Sequence, residues 1–71
     1  MNISFTTHAK NRMRWRRISS DTVKLVLENP DKIESKSEND FFYIKNIDNT
    51  IYKVFCIVVD NEYIIKSTIK K

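Results

Sequence analysis

The 71-residue chain contains no glycine, and only one residue each of cysteine, proline, histidine and tryptophan. Without glycine there is no phosphate-cradling P-loop and no dinucleotide fingerprint, since both need backbone that carries no Cβ. Tight turns must instead be made by Asn and Asp, which tolerate left-handed backbone best among the other residues. The lone Cys56, inside the apolar run from Val54 to Val59, excludes an intrachain disulfide. It is expected to be a buried, inert thiol in a reducing, cytoplasmic setting. One histidine and one cysteine cannot supply an ordinary zinc ligand set. The acids stand singly, so no paired-carboxylate chemistry is expected, and no cofactor is implied. No apolar stretch reaches the ~18–20 residues that span a bilayer. The chain opens polar and then basic, without the apolar core of a secretion signal, so no membrane partner is expected.

What the chain has is charge, unevenly spread. The net charge is +4, with 31% charged and 41% hydrophobic residues. Residues 8–17 hold Lys10, Arg12, Arg14, Arg16 and Arg17 and no acid. The stretch 18–48 is net acidic, and residues 49–71 are net basic through Lys53, Lys66, Lys70 and Lys71. Such asymmetry favours a polyanionic partner, a nucleic acid or an acidic protein segment. A chain this short forms one domain, residues 1–71, which buries only roughly 60–65% of its unfolded surface. A large ligand must then lie on the surface.

The hydrophobic pattern predicts helices first and strands after. Asn2 to Phe5 reads as a short lead-in. Thr6 or Thr7 is placed to cap a helix running to about Arg16 or Arg17, with Ala9 and Met13 toward the core and Trp15 flanking them. Ser19 or Ser20 opens a second helix to Glu28, whose Val23, Val26 and Leu27 share one face. Asn29-Pro30 ends it. Period two follows, with strands over 32–36, 41–47, 51–59 and 63–69 and turns at Asp48-Asn49 and Asp60-Asn61. In the last strand Ile64, Lys66, Thr68 and Lys70 are expected to face away from the helices. The fold class expected is α+β: two N-terminal helices on one face of a three- to four-stranded antiparallel meander, in the order α-α-β-β-β-β.

The string His8-Ala9-x-x-Arg12-Met13-x-x-Arg16-x-Ile18-Ser19 resembles the signature of a small His-Ala-x-x-Arg-Met family, a domain of unknown function. The likeness continues through Glu28-Asn29-Pro30 to Ser67-Thr68-Ile69-Lys70. That family is similar to RelE/ParE-like toxins of bacterial toxin–antitoxin pairs. The resemblance implies a RelE-like sheet fold and metal-independent RNA cleavage, on free mRNA or only within the ribosome, with an acidic antitoxin as protein partner. Where the family commonly shows Arg-Gly-Ile, this chain has Arg16-Arg17-Ile18; where it closes with an arginine, this chain has Lys70.

Such cleavage needs a base for the attacking 2′-hydroxyl, cations for the charged phosphorane, and an acid for the leaving oxygen. His8 is the one side chain of a type that ordinarily titrates near neutrality. At helical spacing Arg12 and Arg16 follow it along one stripe. His8 and Arg12 are therefore the candidate catalytic residues. Lys10, Arg14, Arg16, Arg17, Lys53, Lys66 and Lys70 are the candidate nucleic-acid contacts, with no metal site. The alternative reading is a non-catalytic nucleic-acid- or protein-binding module of the same fold. In that case His8 is a helix-cap histidine and the arginines are solvated or paired.

Overall fold

The computed structural model describes residues 2–71. The element order is β1 (Asn2–Phe5), α1 (Thr7–Arg16), α2 (Ser20–Glu28), β2 (Lys32–Ser35), β3 (Asp40–Ile47), β4 (Thr50–Val59) and β5 (Glu62–Lys70). The strands form one five-stranded mixed sheet in the order β1-β5-β4-β3-β2. This corrects the expected three- to four-stranded antiparallel meander. The residues 2–5 read as a lead-in are an edge strand, parallel to β5, with Ile3 opposite Tyr63 and Phe5 opposite Ile65. Four residues carry too little periodicity to announce a strand. Their partner also lies some 60 positions away, so only the closed tertiary structure supplies the hydrogen bonds that define it. Ser4 Oγ, 2.7 Å from a Glu62 carboxylate oxygen, fastens this edge.

Both helices start where the capping chemistry puts them. Thr6 Oγ1 accepts from the Ala9 N–H at 3.1 Å, and Ser19 Oγ accepts from the Thr22 N–H at 3.1 Å. Each satisfies one of the donors that a helix start leaves without a partner. α1 ends where Arg17 enters the left-handed region at φ 54. There the Ile18 N–H reaches the Met13 carbonyl at 2.9 Å and the Arg17 N–H reaches Arg14 at 3.3 Å. This closure turns the chain so that Ile18 drops into the core.

The core lies between the helices and one face of the sheet. It joins Ala9, Ile18, Val23, Val26 and Leu27 to Val54, Cys56 and Ile65. Alanine at position 9 lets α1 approach β5 closely, and α2 contributes the apolar face expected of it. Trp15, expected to flank the core, is instead 84% exposed. The hairpin turns are as expected: Asp48, Asn49, Asp60 and Asn61 all take positive φ. Two consecutive left-handed residues give the twist that a two-residue hairpin needs. Asp31 ties the approach to β2 onto β3. Its carboxylate accepts from the Asn46 N–H at 2.8 Å, and that bond and Lys45 hold its pKa below the usual aspartate value.

One irregularity changes which side chains face the helices. β4 and β5 pair Phe55 with Ser67 but Cys56 with Ile65, so Lys66 is an extra residue in β5. The alternation inverts there, as at any one-residue bulge. Thr68, expected on the side away from the helices, is buried, and Lys70 comes round to the C-terminal end of α1.

Candidate nucleic-acid interface

α1 is a helix held by little apolar surface. Ala9 is its one buried residue, Met13 is partly buried, and no acid occupies its first turn. The remaining side chains project outward as two basic flanks. At about 100° per residue, His8 and Arg12 lie on one flank, Lys10 and Arg14 on the other, and Asn11 and Trp15 between them. All six are exposed. Arg17, at the left-handed cap, is exposed beyond them.

His8 and Arg12 are brought together. The Arg12 Nε–H donates to His8 Nε2 at 3.5 Å, a long bond on open surface. It sets the guanidinium beside the imidazole and leaves the Nη donors of Arg12 facing solvent. This is the pairing that an i, i+4 spacing predicts. Arg16 does not continue the stripe outward. Its Nη1 donates to the Thr68 carbonyl on β5, bracing α1 against the sheet. Lys70 Nζ in turn donates to the Arg16 carbonyl at 3.3 Å, a cation on the negative end of the helix. Both cations thus have structural partners at the seam between α1 and β5.

Lys53 and Lys66 lie elsewhere, on the face of the sheet that carries no helix. There Phe42 and Phe55 stack across β3 and β4, with ring centroids 4.8 Å apart. Lys36 and Lys53 approach the Phe42 ring at 5.4 and 5.9 Å, and Lys66 approaches Phe55 at 5.4 Å. Sequence reasoning missed Lys36, Phe42 and Phe55 as members of this cluster, because only the strand register places them side by side. Among the described residues the ion pairs are Lys32–Glu34 and Lys45–Asp31. Neither involves α1 or this lysine cluster.

The interior offers no chemistry to compete with these surfaces. Burial pushes the Cys56 thiol up to about 12, so it stays protonated and unreactive. Among the described residues no three of His, Cys, Asp and Glu come together. An open depression of about 270 Å³ is lined by Ile3, Leu27, Glu28 and Tyr63, and none of the basic residues of α1 lines it. No helix among the described residues is long and apolar enough to cross a membrane.

The model of a family described as a domain of unknown function, DUF4258, matches residues 5–70. The chain belongs to the DUF4258 family. The matched span of the DUF4258 domain includes all of α1, with the His8–Arg12 pair, and all of the sheet except most of β1. Neither a curated protein nor a solved structure matches the chain significantly.

Proposed function

We propose that this DUF4258 domain is an RNA-binding module whose interface is the outer surface of α1. The observation that carries this reading is that Lys10, Arg12, Arg14 and Arg17 are exposed on one short element and that no ion pair among the described residues engages them. Unpaired surface cations release counterions when they meet phosphates, and that release drives nucleic-acid binding. Arg12 and Arg14 present forks that suit phosphate oxygens. Lys53 and Lys66, on the other side of the sheet, form a second positive surface, suited to a longer strand or to an acidic protein segment such as an antitoxin.

The test is RNA affinity as a function of salt. Affinity should fall steeply with added salt, and Arg12→Ala or Arg14→Ala should each lower the slope by roughly 0.7. Absence of binding at low salt, or a slope that neither variant changes, would reject the reading.

A second reading, cleavage in the manner of a RelE/ParE-like toxin, is favoured by the contact between His8 and Arg12. Once Arg12 turns from His8 Nε2 to the phosphate, that nitrogen would be free to take the proton of a 2′-hydroxyl. The freed oxygen would form a bond to the adjacent phosphorus as the bond to the 5′-oxygen breaks, leaving a 2′,3′-cyclic phosphate and a 5′-hydroxyl. Arg12 would neutralise the phosphorane, and the departing oxygen would take its proton from water or from the ribosome. Induced expression with RNA 5′ ends mapped in wild type and His8→Ala separates the two readings. New ends only in wild type establish cleavage, and their absence with RNA binding intact leaves the binding module.

A further inference from the structure

We propose that Trp15 is a base-stacking residue that makes the α1 surface select unpaired over paired RNA; the inference rests on the RNA-binding reading above. Trp15 is 84% exposed, although it is the one tryptophan in the chain and the largest apolar side chain available to a small core. The fold makes no use of it. Its position is the centre of the basic surface, about 60° around the helix axis from Arg12 and about 100° from Arg14. A single strand laid along α1 would set phosphates against the two arginines and a base over the indole between them.

The surroundings of Trp15 distinguish this role from docking onto another protein. Protein hot spots are aromatic anchors ringed by contacts that exclude water. The other large exposed apolar residues, Leu25, Ile33, Ile51 and Val59, lie on α2, β2 and β4 rather than on α1. Around Trp15 the helix presents Asn11, Arg12 and Arg14 instead. Cations that follow a backbone, with a ring among them, make the composition of a single-strand platform. The cation–π contacts of the described residues all go to Phe42 and Phe55, on the other side of the sheet. The indole faces therefore remain available.

Paired RNA cannot use this ring. An A-form duplex keeps its bases stacked inside and shows the protein phosphates and 2′-hydroxyls. The arginines would bind either form, and the tryptophan adds affinity for the unpaired one alone.

Because Trp15 is the sole tryptophan, its intrinsic fluorescence reports on this position without a label. The full-length protein is titrated at low salt with a short oligoadenylate and with a blunt RNA duplex of matching length. Oligoadenylate should quench Trp15, and Trp15→Ala and Trp15→Leu should each weaken its binding by about tenfold or more. Trp15→Phe, which keeps a ring, should stay within about threefold of wild type. Duplex affinity should be the same in all four proteins. Far-UV circular dichroism of the variants confirms the fold, which an exposed side chain does not support. Oligoadenylate binding with unchanged fluorescence and unchanged affinity in Trp15→Ala would overturn stacking while leaving RNA binding by α1 in place. Full affinity in Trp15→Leu would show an apolar contact rather than a stacked base. Equal losses for oligoadenylate and duplex would overturn the selectivity, and no binding of either RNA would overturn the parent reading as well.

Discussion

Single residues in this protein divide sharply between structural and free cations. Arg16 and Arg14 are two positions apart on α1, yet one is bonded to the Thr68 carbonyl and the other is exposed. Arg16→Ala should cost about 1.5–3 kcal/mol, as expected for a hydrogen bond from a charged group. Arg14→Ala should stay within about 0.5 kcal/mol. Urea unfolding of the two variants checks the contrast; equal stability would mean that the Arg16 contact contributes nothing net. Thr68 offers a second case. Its side-chain hydroxyl is buried and has no hydrogen-bond partner. A buried hydroxyl without a partner pays its desolvation cost unrepaid, so Thr68→Val should raise stability by about 1 kcal/mol. A lower urea midpoint for Thr68→Val would show that the hydroxyl has a partner after all.

Among the elements, α1 carries the proposed interface, and it ends at a cost to itself. It ends on Arg17 in the left-handed region, a conformation that disfavours any residue with a Cβ. Arg17→Gly should therefore stabilise the fold by about 0.5–1 kcal/mol while weakening RNA binding, and paired thermal melts and binding titrations measure both. Loss of stability on that change would mean that the arginine stem packs against the sheet. The caps at Thr6 and Ser19, the stop at Asn29-Pro30 and the turns at Asp48-Asn49 and Asp60-Asn61 were legible because each is local chemistry, read within three or four residues. β1 was not legible, because a four-residue strand exists only through β5. Nor was the burial of Thr68 or the approach of Lys70 to the end of α1, because the bulge at Lys66 is a mismatch between two strands and leaves no mark in either one alone. Of the candidate site, the His8–Arg12 contact followed from helical spacing. The Lys36, Phe42, Phe55, Lys53 and Lys66 cluster required the register.

At the scale of the whole molecule, pH should act through the interior. Burial raises the Cys56 thiol from an ordinary 9.0 to about 12. Burial, helped by neighbouring Tyr63, raises the Tyr43 phenol from 10.0 to about 12. Both groups lose their protons more readily in the unfolded chain than in the folded one. The stability linked to their neutral forms is thus complete below about pH 9 and drains away as pH climbs toward 12. Chemical denaturation across this range should show falling stability, with a shallower fall in Cys56→Ala once its lower starting stability is subtracted. A flat profile between pH 9 and 11 would contradict the burial of both groups. The two positive surfaces lie on opposite sides of the sheet, so their contributions to RNA binding should add independently. Combining Arg12→Ala with Lys66→Ala should give the sum of the single effects.

The sequence alone determined the helices, their caps, the hairpins, the buried thiol and the concentration of positive charge before Ile18. These depend on neighbours a few positions apart, where helical and strand periods and capping chemistry operate. Tertiary structure alone decided that the sheet has a fifth, parallel strand and that Arg16 and Lys70 brace a seam. It also decided that the Lys53 and Lys66 side chains lie on the face of the sheet opposite α1, and that Trp15 stands in solvent. Each of these depends on which segments meet across long sequence separations, and that is settled only when the small core closes and hydrogen-bond partners are shared out among strands.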